Sequence, residues 1–212
     1  MPRLLELVLA GVLLALLGPV VAACALLVRC DLGRPVVFRQ IRAGQGGRAV
    51  ILHKLRTMRE DRDGTGQLLP DEDRLTPVGR TLRRFRLDEI PQLLAVLKGD
   101  LALVGPRPLL PATIDAFGEA GRQRARVRPG ITGWAQVNGN TRLADAEKLS
   151  LDLWYVAHRS SALDLAILWL TMVTILRGES RSEHRIGDAH RWCSARHLDI
   201  LASADLASGG RT

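Results

Sequence analysis

Residues 7–28 contain no charged side chain, and these 22 residues limit what the 212-residue chain can fold into. A helix of about 20 apolar residues is long enough to cross the hydrocarbon core of a bilayer. A secretory signal peptide has a shorter apolar core, a more basic start and a small-residue cleavage site. The run therefore predicts a membrane helix rather than a cleaved signal peptide.

Two features of this run do not fit a plain spanning helix. Gly18-Pro19 stands at its centre, where proline removes one backbone hydrogen bond and kinks the helix. Positive charge flanks both ends, with Arg3 before the run and Arg29 and Arg34 after it, and positive charge is retained on the cytoplasmic side of a membrane. A re-entrant helix that enters one leaflet, breaks at Gly18-Pro19 and returns satisfies both observations. An ordinary spanning helix that tolerates a proline is the alternative, which the sequence leaves open.

Residues 31–58 predict a small sheet. Residues 36–38 and 49–52 are short apolar runs typical of strands, and the glycine-rich residues 43–47 join them. These glycines do not form a GxxxxGK[ST] phosphate loop, so we predict a hairpin turn. Lys54 ends the second strand and can reach a phosphate, although such a lysine is more often a solvated strand end. The polar residues 59–73 predict an exposed loop.

Two helices are predicted within residues 76–111. Thr76-Pro77 indicates an N-cap followed by proline at the first helical position, so a short helix is expected over residues 78–84. A second helix is expected to start near Asp88, because Pro91 is tolerated only in a first turn. Lys98-Gly99 provides its C-terminal stop.

The carboxylate pair Asp88-Glu89 is the centre of the predicted chemistry. At a helix N-terminus, free N–H groups and the helix dipole favour an ionised carboxylate. Adjacent residues point about 100° apart on a helix, so the two acids are expected to have different roles. An ionised aspartate beside arginines suits attack on an anionic phosphorus centre, because the arginines neutralise its oxygens. The neighbouring cations are Arg80, Arg83, Arg84, Arg86 and, in the Pro106-Arg107-Pro108 turn, Arg107. The alternative is a purely structural role for the two acids, as a helix cap with solvated ion pairs.

The C-terminal half is predicted to be largely helical. Residues 112–125 and 143–155 are helix-like, and residues 164–176 form an apolar segment too short to span a bilayer but suited to burial or to a membrane interface. Between them, residues 126–140 are dense in turns that place groups around a ligand, with Arg128 as an anion-binding candidate and Trp134 expected in the core. Beyond Arg177 the chain is polar and is predicted to be irregular.

Composition narrows the class of partner. The net charge of +8 and the pI near 10.6 indicate an anionic partner, such as nucleic acid, anionic lipid or a phosphorylated substrate. Aromatic residues make up only 4% of the chain, so stacking platforms for single-stranded nucleic acid are scarce. The three cysteines form no CxxC pair and suit a reducing compartment.

Four motifs in order resemble the bacterial sugar transferases that are monotopic polyprenyl-phosphate phosphoglycosyl transferases. They follow the proline-containing apolar helix, and the resemblance covers residues 4–179. The motifs are HKLRTM (53–58), RRFRLDEIPQLLAVLKGDLALVGPRP (83–108), RPGITGWAQVNG (128–139) and LWYVAHRSSALDLAIL (153–168). The chain departs from the family where Gly18 precedes the proline in place of serine, and where Glu6 replaces a frequent aspartate.

This resemblance implies an activity and roles for residues. Members transfer a sugar 1-phosphate from a UDP-sugar to a polyprenyl phosphate such as undecaprenyl phosphate and release UMP, as the first membrane step of exopolysaccharide or glycoconjugate synthesis. They use a re-entrant helix and a cytoplasmic active site, at the inner membrane. By position, Asp88 resembles the nucleophile that forms a covalent phosphosugar intermediate, and Glu89 its partner that holds Mg²⁺. Residues Pro106, Arg107 and Pro108 resemble the nucleotide-binding motif, and Lys54 and Arg83 resemble the basic residues around the phosphates.

The expected architecture is α/β: a re-entrant membrane helix over residues 1–30, a small mixed α/β cytoplasmic catalytic domain with interfacial amphipathic helices over residues 31–179, and a tail over residues 180–212. The expected partners are a UDP-sugar, polyprenyl phosphate and membrane lipids, without nucleic acid. The oligomeric state, a homodimer included, is left open. Two alternatives are a membrane-anchored module that binds nucleic acid or another anion, and a hydrolase of nucleotide-linked lipids that needs no acceptor.

Overall fold

The computed structural model describes residues 1–196 and 198, and it is a mixed α/β fold that is mostly helical. Residues 199–212 of the predicted tail lie outside this range. The helices are α1 (Arg3–Leu32), α2 (Asp71–Arg74), α3 (Pro77–Arg84), α4 (Leu93–Lys98), α5 (Pro111–Ala116), α6 (Gly118–Arg124), α7 (Trp134–Val137), α8 (Asp145–His158), α9 (Ser161–Arg177) and α10 (Glu183–Ser194). The strands are β1 (Val37–Ala43), β2 (Ala49–Leu55), β3 (Ala102–Val104) and β4 (Gly130–Thr132).

Helix α1 packs on the rest of the protein at both of its ends. Near its start Glu6 and Ala10 are buried, and near its end Cys24 and Val28 are buried. Between them the side chains are largely exposed, and Leu16 is 69% exposed. The helix is long and apolar enough to cross a membrane.

The helix continues through Gly18 and Pro19 as one helical segment, and a change of axis direction at these residues stays a prediction. Proline at position 19 removes the hydrogen bond that its own N–H would donate, and its ring crowds the carbonyl of Ala15, which kinks a helix without having to end it. Membrane helices tolerate proline because neighbouring groups satisfy the freed carbonyl. Pro19 therefore lies inside a single 30-residue helix.

Strands β1 and β2 form the predicted antiparallel hairpin, with Val37 opposite Leu55 and Ala43 opposite Ala49. Both strands are longer than predicted. Val50 and Leu52 are buried against the core, which makes this face of the hairpin the inner one. Because β2 runs on to Leu55, Lys54 lies within the strand and is carried inward.

A second sheet, which the sequence did not predict, pairs β3 and β4 in parallel, with Ala102 opposite Gly130. Each strand has only three residues, and β4 lies inside the segment predicted to be turns. The backbones approach each other closely at this sheet, so that a Cβ at Gly130 would overlap the backbone nitrogen of Gly105. Gly133 similarly has no room for a Cβ beside the Gly105 carbonyl. Such approach is available only to glycine.

Helix α3 agrees with its prediction, and the next helical segment starts near Asp88 as predicted, but as a 3-10 helix. The Thr76 hydroxyl accepts a hydrogen bond from the Gly79 N–H at 2.9 Å, which is the expected N-cap. The segment Leu87–Gln92 is a 3-10 helix, and α4 starts only at Leu93. Pro91 has no N–H to donate to residue 87, so the first turn cannot form the α-helical bond there. Gly99 ends α4 in the left-handed conformation, as expected.

The later helices show two further differences from the sequence prediction. The helix expected over residues 112–125 is divided into α5 and α6 at Gly118, whose φ is 54°. Helix α10 corrects the prediction of an irregular tail, and its buried Ile186, Ala189 and Cys193 pack towards α8. Trp134 is buried, as predicted. Helix α9 buries Ile167 and exposes an apolar face, comprising Leu165, Trp169, Met172 and Leu176.

Candidate functional site

The carboxylate pair lies at the start of the 3-10 helix, below the inner face of the hairpin. Asp88 and Glu89 are both buried, each with 7% of its surface exposed. The chain enters this turn through Arg86, whose φ of 56° is in the left-handed region. A non-glycine residue held there is uncommon and costs conformational energy. The tight entry lets two adjacent acids face a group of cations from other parts of the chain.

Glu89 binds three of these cations. Its Oε1 accepts hydrogen bonds from Lys54 Nζ at 2.6 Å and from Arg107 Nη2 at 3.0 Å, and its Oε2 lies 3.9 Å from Arg86 Nη1. Burial by itself raises the pKa of Glu89, but Arg107, Lys54 and Arg86 overcome that effect and hold it at about 2. Glu89 is therefore a permanent anion at neutral pH.

Asp88 has the opposite electrostatic environment, and this corrects the sequence argument. Burial, and after it the negative charge of Glu89, raises the pKa of Asp88 above its ordinary value, although Lys54 and Arg83 act against them. We had expected the helix N-terminus to favour the ionised form. In the short 3-10 turn, desolvation and the adjacent anion dominate instead.

Arg83 is held on the other side of the pair by the HKLRTM segment. Its Nε donates to the Thr57 hydroxyl at 3.0 Å, and its Nη2 lies 3.2 Å from Met58 Sδ. Helix α3 supplies this arginine from an exposed position. The positive charge of Arg83 acts on Asp88 and opposes the rise in its pKa.

The backbone of Arg107 is anchored from behind. Pro106 and Pro108 are buried on either side of it. The Arg107 carbonyl accepts a hydrogen bond from Arg124 Nη2 at 2.5 Å, and Arg124 forms a buried ion pair with Asp152 on α8. This pair fixes the position from which the Arg107 side chain reaches Glu89.

Arg128 is placed apart from the carboxylate pair. Its Nη2 lies 3.4 Å from Glu6 Oε2, at the start of α1. Glu6 also accepts a hydrogen bond from the Leu103 N–H at 2.9 Å and one from Arg3 at 2.7 Å. In this arrangement Arg128 ties α1 to the catalytic domain, and its predicted role in substrate binding stays a prediction.

The structure also brings together residues that the sequence reasoning did not assign to the site. Arg42 lies on the same face of the hairpin as Lys54, with Gln40 beside it. Glu179, two residues after the end of α9, is linked to the site by Arg86, one of the predicted cations, at 3.4 Å. Gln40 and Arg42 could have been identified from the strand register, because residues 40, 42 and 54 share one face of the hairpin.

Among the described residues, no group of three or more His, Cys, Asp or Glu side chains converges to hold a metal ion. Mg²⁺, however, is usually bound by one or two carboxylates together with substrate phosphates. Glu89 offers such a donor, because its two short ion pairs both involve Oε1 and its Oε2 has only the longer contact. The residues therefore fit a magnesium ion that arrives with a diphosphate.

Comparison with known proteins identifies the family of this chain. Residues 1–178 match the family model described as bacterial sugar transferase. The uncharacterized sugar transferase EpsL of Bacillus subtilis is 48% identical over 177 residues, which are 84% of this chain and 88% of EpsL. A UDP-glucose:undecaprenyl-phosphate glucose-1-phosphate transferase of Caulobacter vibrioides is 39% identical over 82% of this chain and 69% of its own length. A UDP-N-acetylgalactosamine-undecaprenyl-phosphate N-acetylgalactosaminephosphotransferase of Aeromonas hydrophila is 38% identical over 83% of this chain, which spans 44% of that relative.

The family match covers most of the chain, and it includes both the carboxylate pair and the cations around it. The chain belongs to the bacterial sugar transferase family, which confirms the family and the enzyme class, phosphoglycosyl transferase, that the sequence predicted.

Proposed function

We propose that this protein transfers a sugar 1-phosphate from a UDP-sugar to undecaprenyl phosphate and releases UMP. The observation that carries the proposal is the buried pair Asp88-Glu89 surrounded by Lys54, Arg86 and Arg107. A diphosphate needs such cations before its leaving group can depart. The names of the relatives from Caulobacter vibrioides and Aeromonas hydrophila support the same donor and acceptor classes.

Transfer proceeds in two displacements at the sugar-bearing phosphorus. In the first, a carboxylate oxygen of Asp88 forms a bond to that phosphorus as the bond to the UMP oxygen breaks, and UMP leaves with the electron pair. In the second, a phosphate oxygen of undecaprenyl phosphate attacks the same phosphorus, and Asp88 leaves as a carboxylate. This division predicts ping-pong kinetics. Glu89 keeps Lys54 and Arg107 in place throughout.

The resemblance to the family implies Mg²⁺, and the carboxylate of Glu89 would hold it. When bound, the ion would neutralise charge on the diphosphate. Lys54 and Arg83 already lower the pKa of Asp88 against burial, and so favour the ionised form that attacks. This protein's own cations thereby prepare the nucleophile.

We further propose that α1 is re-entrant and that the site faces the cytoplasm. Both ends of α1 pack on the same domain: Arg3 Nη2 donates to the Val96 carbonyl at 2.6 Å, and Val28 packs with Leu55 at the other end. A helix that crossed the bilayer would carry its two ends to opposite sides. The exposed middle of α1 is then the part inserted in the lipid.

Release of UMP from a panel of UDP-sugars tests the activity. We expect magnesium-dependent UMP that requires undecaprenyl phosphate for turnover, from wild type and from Asp115→Asn, whose carboxylate is exposed and outside the site. Asp88→Asn should remain folded and be inactive. Without acceptor, intact-mass measurement should detect the sugar phosphate on wild type alone. Substantial turnover by folded Asp88→Asn would refute the covalent mechanism.

Thiol accessibility tests the topology. Cys30 is exposed at the end of α1, and Leu4, which is 76% exposed, can be changed to cysteine at its start in a Cys30→Ser background. In intact spheroplasts an impermeant maleimide should label neither position until the membrane is permeabilised. Labelling of only one of the two before permeabilisation would establish a spanning helix instead.

A further inference from the structure

The inner face of the hairpin carries a cation that the proposed mechanism does not use. Along β2, Val50, Leu52 and Lys54 alternate onto one face, and opposed residues of an antiparallel pair share a face. Arg42 is opposite Val50, and Gln40 is opposite Leu52. Since Val50 and Leu52 are buried, Arg42 also faces inward.

Arg42 lies beside the Pro106-Arg107-Pro108 turn. The Ala43 N–H donates to the Leu109 carbonyl at 2.8 Å, which joins the end of β1 to the chain just after this turn. Burial and, after it, the positive charge of Arg107 lower the pKa of Arg42. The two guanidinium groups therefore belong to chain segments that this backbone hydrogen bond joins.

The partner of Arg42 is neutral. Its Nε and Nη2 donate to Gln40 Oε1 at 3.1 and 2.6 Å, and within the part of the chain that the structure describes its side chain has no other hydrogen bond and no ion pair. A half-buried guanidinium without a carboxylate, next to a second guanidinium, is unfavourable unless an anion joins them. Gln40 orients the guanidinium and leaves its Nη1 donors for that anion.

The position of Arg42 along the hairpin indicates which phosphate it contacts. Lys54 binds Glu89 beside the attacking Asp88. It lies four residues along β2 from Val50, the residue opposite Arg42, which is about 13 Å of strand. Arg42 is instead beside the Pro106-Arg107-Pro108 turn, to which its strand is joined at Leu109, and the charge of Arg107 acts on it. Arg42 therefore belongs with the phosphate that departs with the nucleotide.

We propose that Arg42, oriented by Gln40, forms with Arg107 a two-guanidinium clamp for the phosphate of the leaving nucleoside monophosphate. This inference rests on the proposed function for the identity of the nucleotide. Paired guanidinium groups suit the planar, bidentate recognition of a phosphate. The clamp stabilises the negative charge that develops on the leaving group.

Binding of UMP to the purified protein, measured by calorimetry without donor or acceptor, tests the clamp. The Arg42→Gln variant should bind UMP about 10- to 100-fold more weakly, as expected for a lost charged hydrogen bond. The control is Arg39→Gln, which removes an exposed arginine from the opposite face of the same strand and should bind as wild type does. Uridine, which has no phosphate, should bind all three proteins equally.

The outcomes separate the clamp from the proposed function. If UMP affinity is the same in wild type and Arg42→Gln, or if uridine binding falls equally, the clamp is wrong even when transfer is observed. If the wild type binds UMP through Arg42 but transfers no sugar phosphate, the clamp stands and the proposed function fails. Should Arg42→Gln not fold, Gln40→Leu decides, since it keeps the charge of Arg42 but removes its orienting acceptor. Folded Gln40→Leu with unchanged UMP affinity overturns the proposal, and weakened affinity supports it.

Discussion

The buried ion pair between Arg124 and Asp152 supports both the stability of the protein and the geometry of its site. Each side chain has only 4% of its surface exposed, and Arg124 Nε and Nη2 lie 2.8 and 2.7 Å from Asp152 Oδ2. The same Nη2 donates to the carbonyl of Arg107 at 2.5 Å. Removing the negative charge of Asp152 would leave the buried Arg124 guanidinium without a charged partner, although it would keep its hydrogen bond to the Arg107 carbonyl.

Breaking one partner of a fully buried ion pair costs about 3–5 kcal/mol, whereas replacing both by apolar residues is often neutral. Asp152→Asn keeps one oxygen acceptor, so we expect a loss of about 3 kcal/mol. For a domain of this size that loss lowers Tm by about 6–12 °C. The double variant Arg124→Met/Asp152→Leu should recover most of this stability.

Activity should not recover with stability, because the double variant lacks the hydrogen bond from Arg124 to the Arg107 carbonyl, and in Asp152→Asn the Arg124 that donates this bond has lost the carboxylate that holds it. Thermal unfolding in detergent and acceptor-dependent UMP release, measured on the same preparations, compare the two quantities. We expect Asp152→Asn to be unstable and poorly active, and the double variant to be stable and poorly active. A single variant as stable as wild type would refute the buried-charge argument. A double variant with wild-type turnover would refute the positioning of Arg107 by Arg124.

Three further predictions follow from single contacts. The difference between the ordinary pKa of 4.5 and about 2 for Glu89 corresponds to about 3 kcal/mol of stability, which is present above pH 4.5 and is lost as the pH falls towards 2. Glu89→Gln should therefore be less stable than wild type in denaturant at pH 7, with the gap narrowing below pH 4.5; equal stability at pH 7 would contradict this. Gly79→Ala should destabilise by about 1–3 kcal/mol, because its Cβ would overlap the Thr57 carbonyl oxygen, whereas Gly187→Ala, which meets only the flexible end of an arginine, should stabilise by up to about 1 kcal/mol. Thermal unfolding that changes in the same direction for both would disprove the packing argument. Trp169→Ser, at a position 70% exposed on α9, should reduce membrane retention in flotation without lowering Tm, and unchanged flotation would remove α9 from the membrane contact.

Features with a local cause could be predicted from the sequence. The N-cap at Thr76 needs only a hydroxyl, a following proline and the next two residues, and the structure has it. The hairpin and the glycine stop at Gly99 are equally local. The long apolar helix follows from composition alone. Each of these depends on interactions within a few residues of chain.

Features that depend on contacts between distant segments could not be predicted in this way. The pairing of β3 with β4 depends on glycines 105 and 130 meeting from different segments. Helix α10 has only a short apolar stripe in an otherwise polar segment, and this stripe is buried against α8, which is distant in sequence. Arg124 and Asp152 are 28 residues apart, and neither carries a motif. The sequence identified the carboxylate pair but not the residues that hold its surroundings in place.

The two acids of the pair differ because Glu89 binds the cations and its charge acts on Asp88. Glu89 draws Lys54, Arg86 and Arg107 to itself, and its pKa is held at about 2. Its permanent negative charge then acts together with burial to raise the pKa of Asp88. A more basic carboxylate is a better nucleophile towards phosphorus once it is ionised, and neighbouring groups with pKa values displaced in opposite directions are typical of a site with divided roles. The expectation of different roles stays a prediction, and the difference between the two carboxyl groups is electrostatic: burial, and after it the charge of the residue that binds the cations, makes Asp88 the more basic of the two.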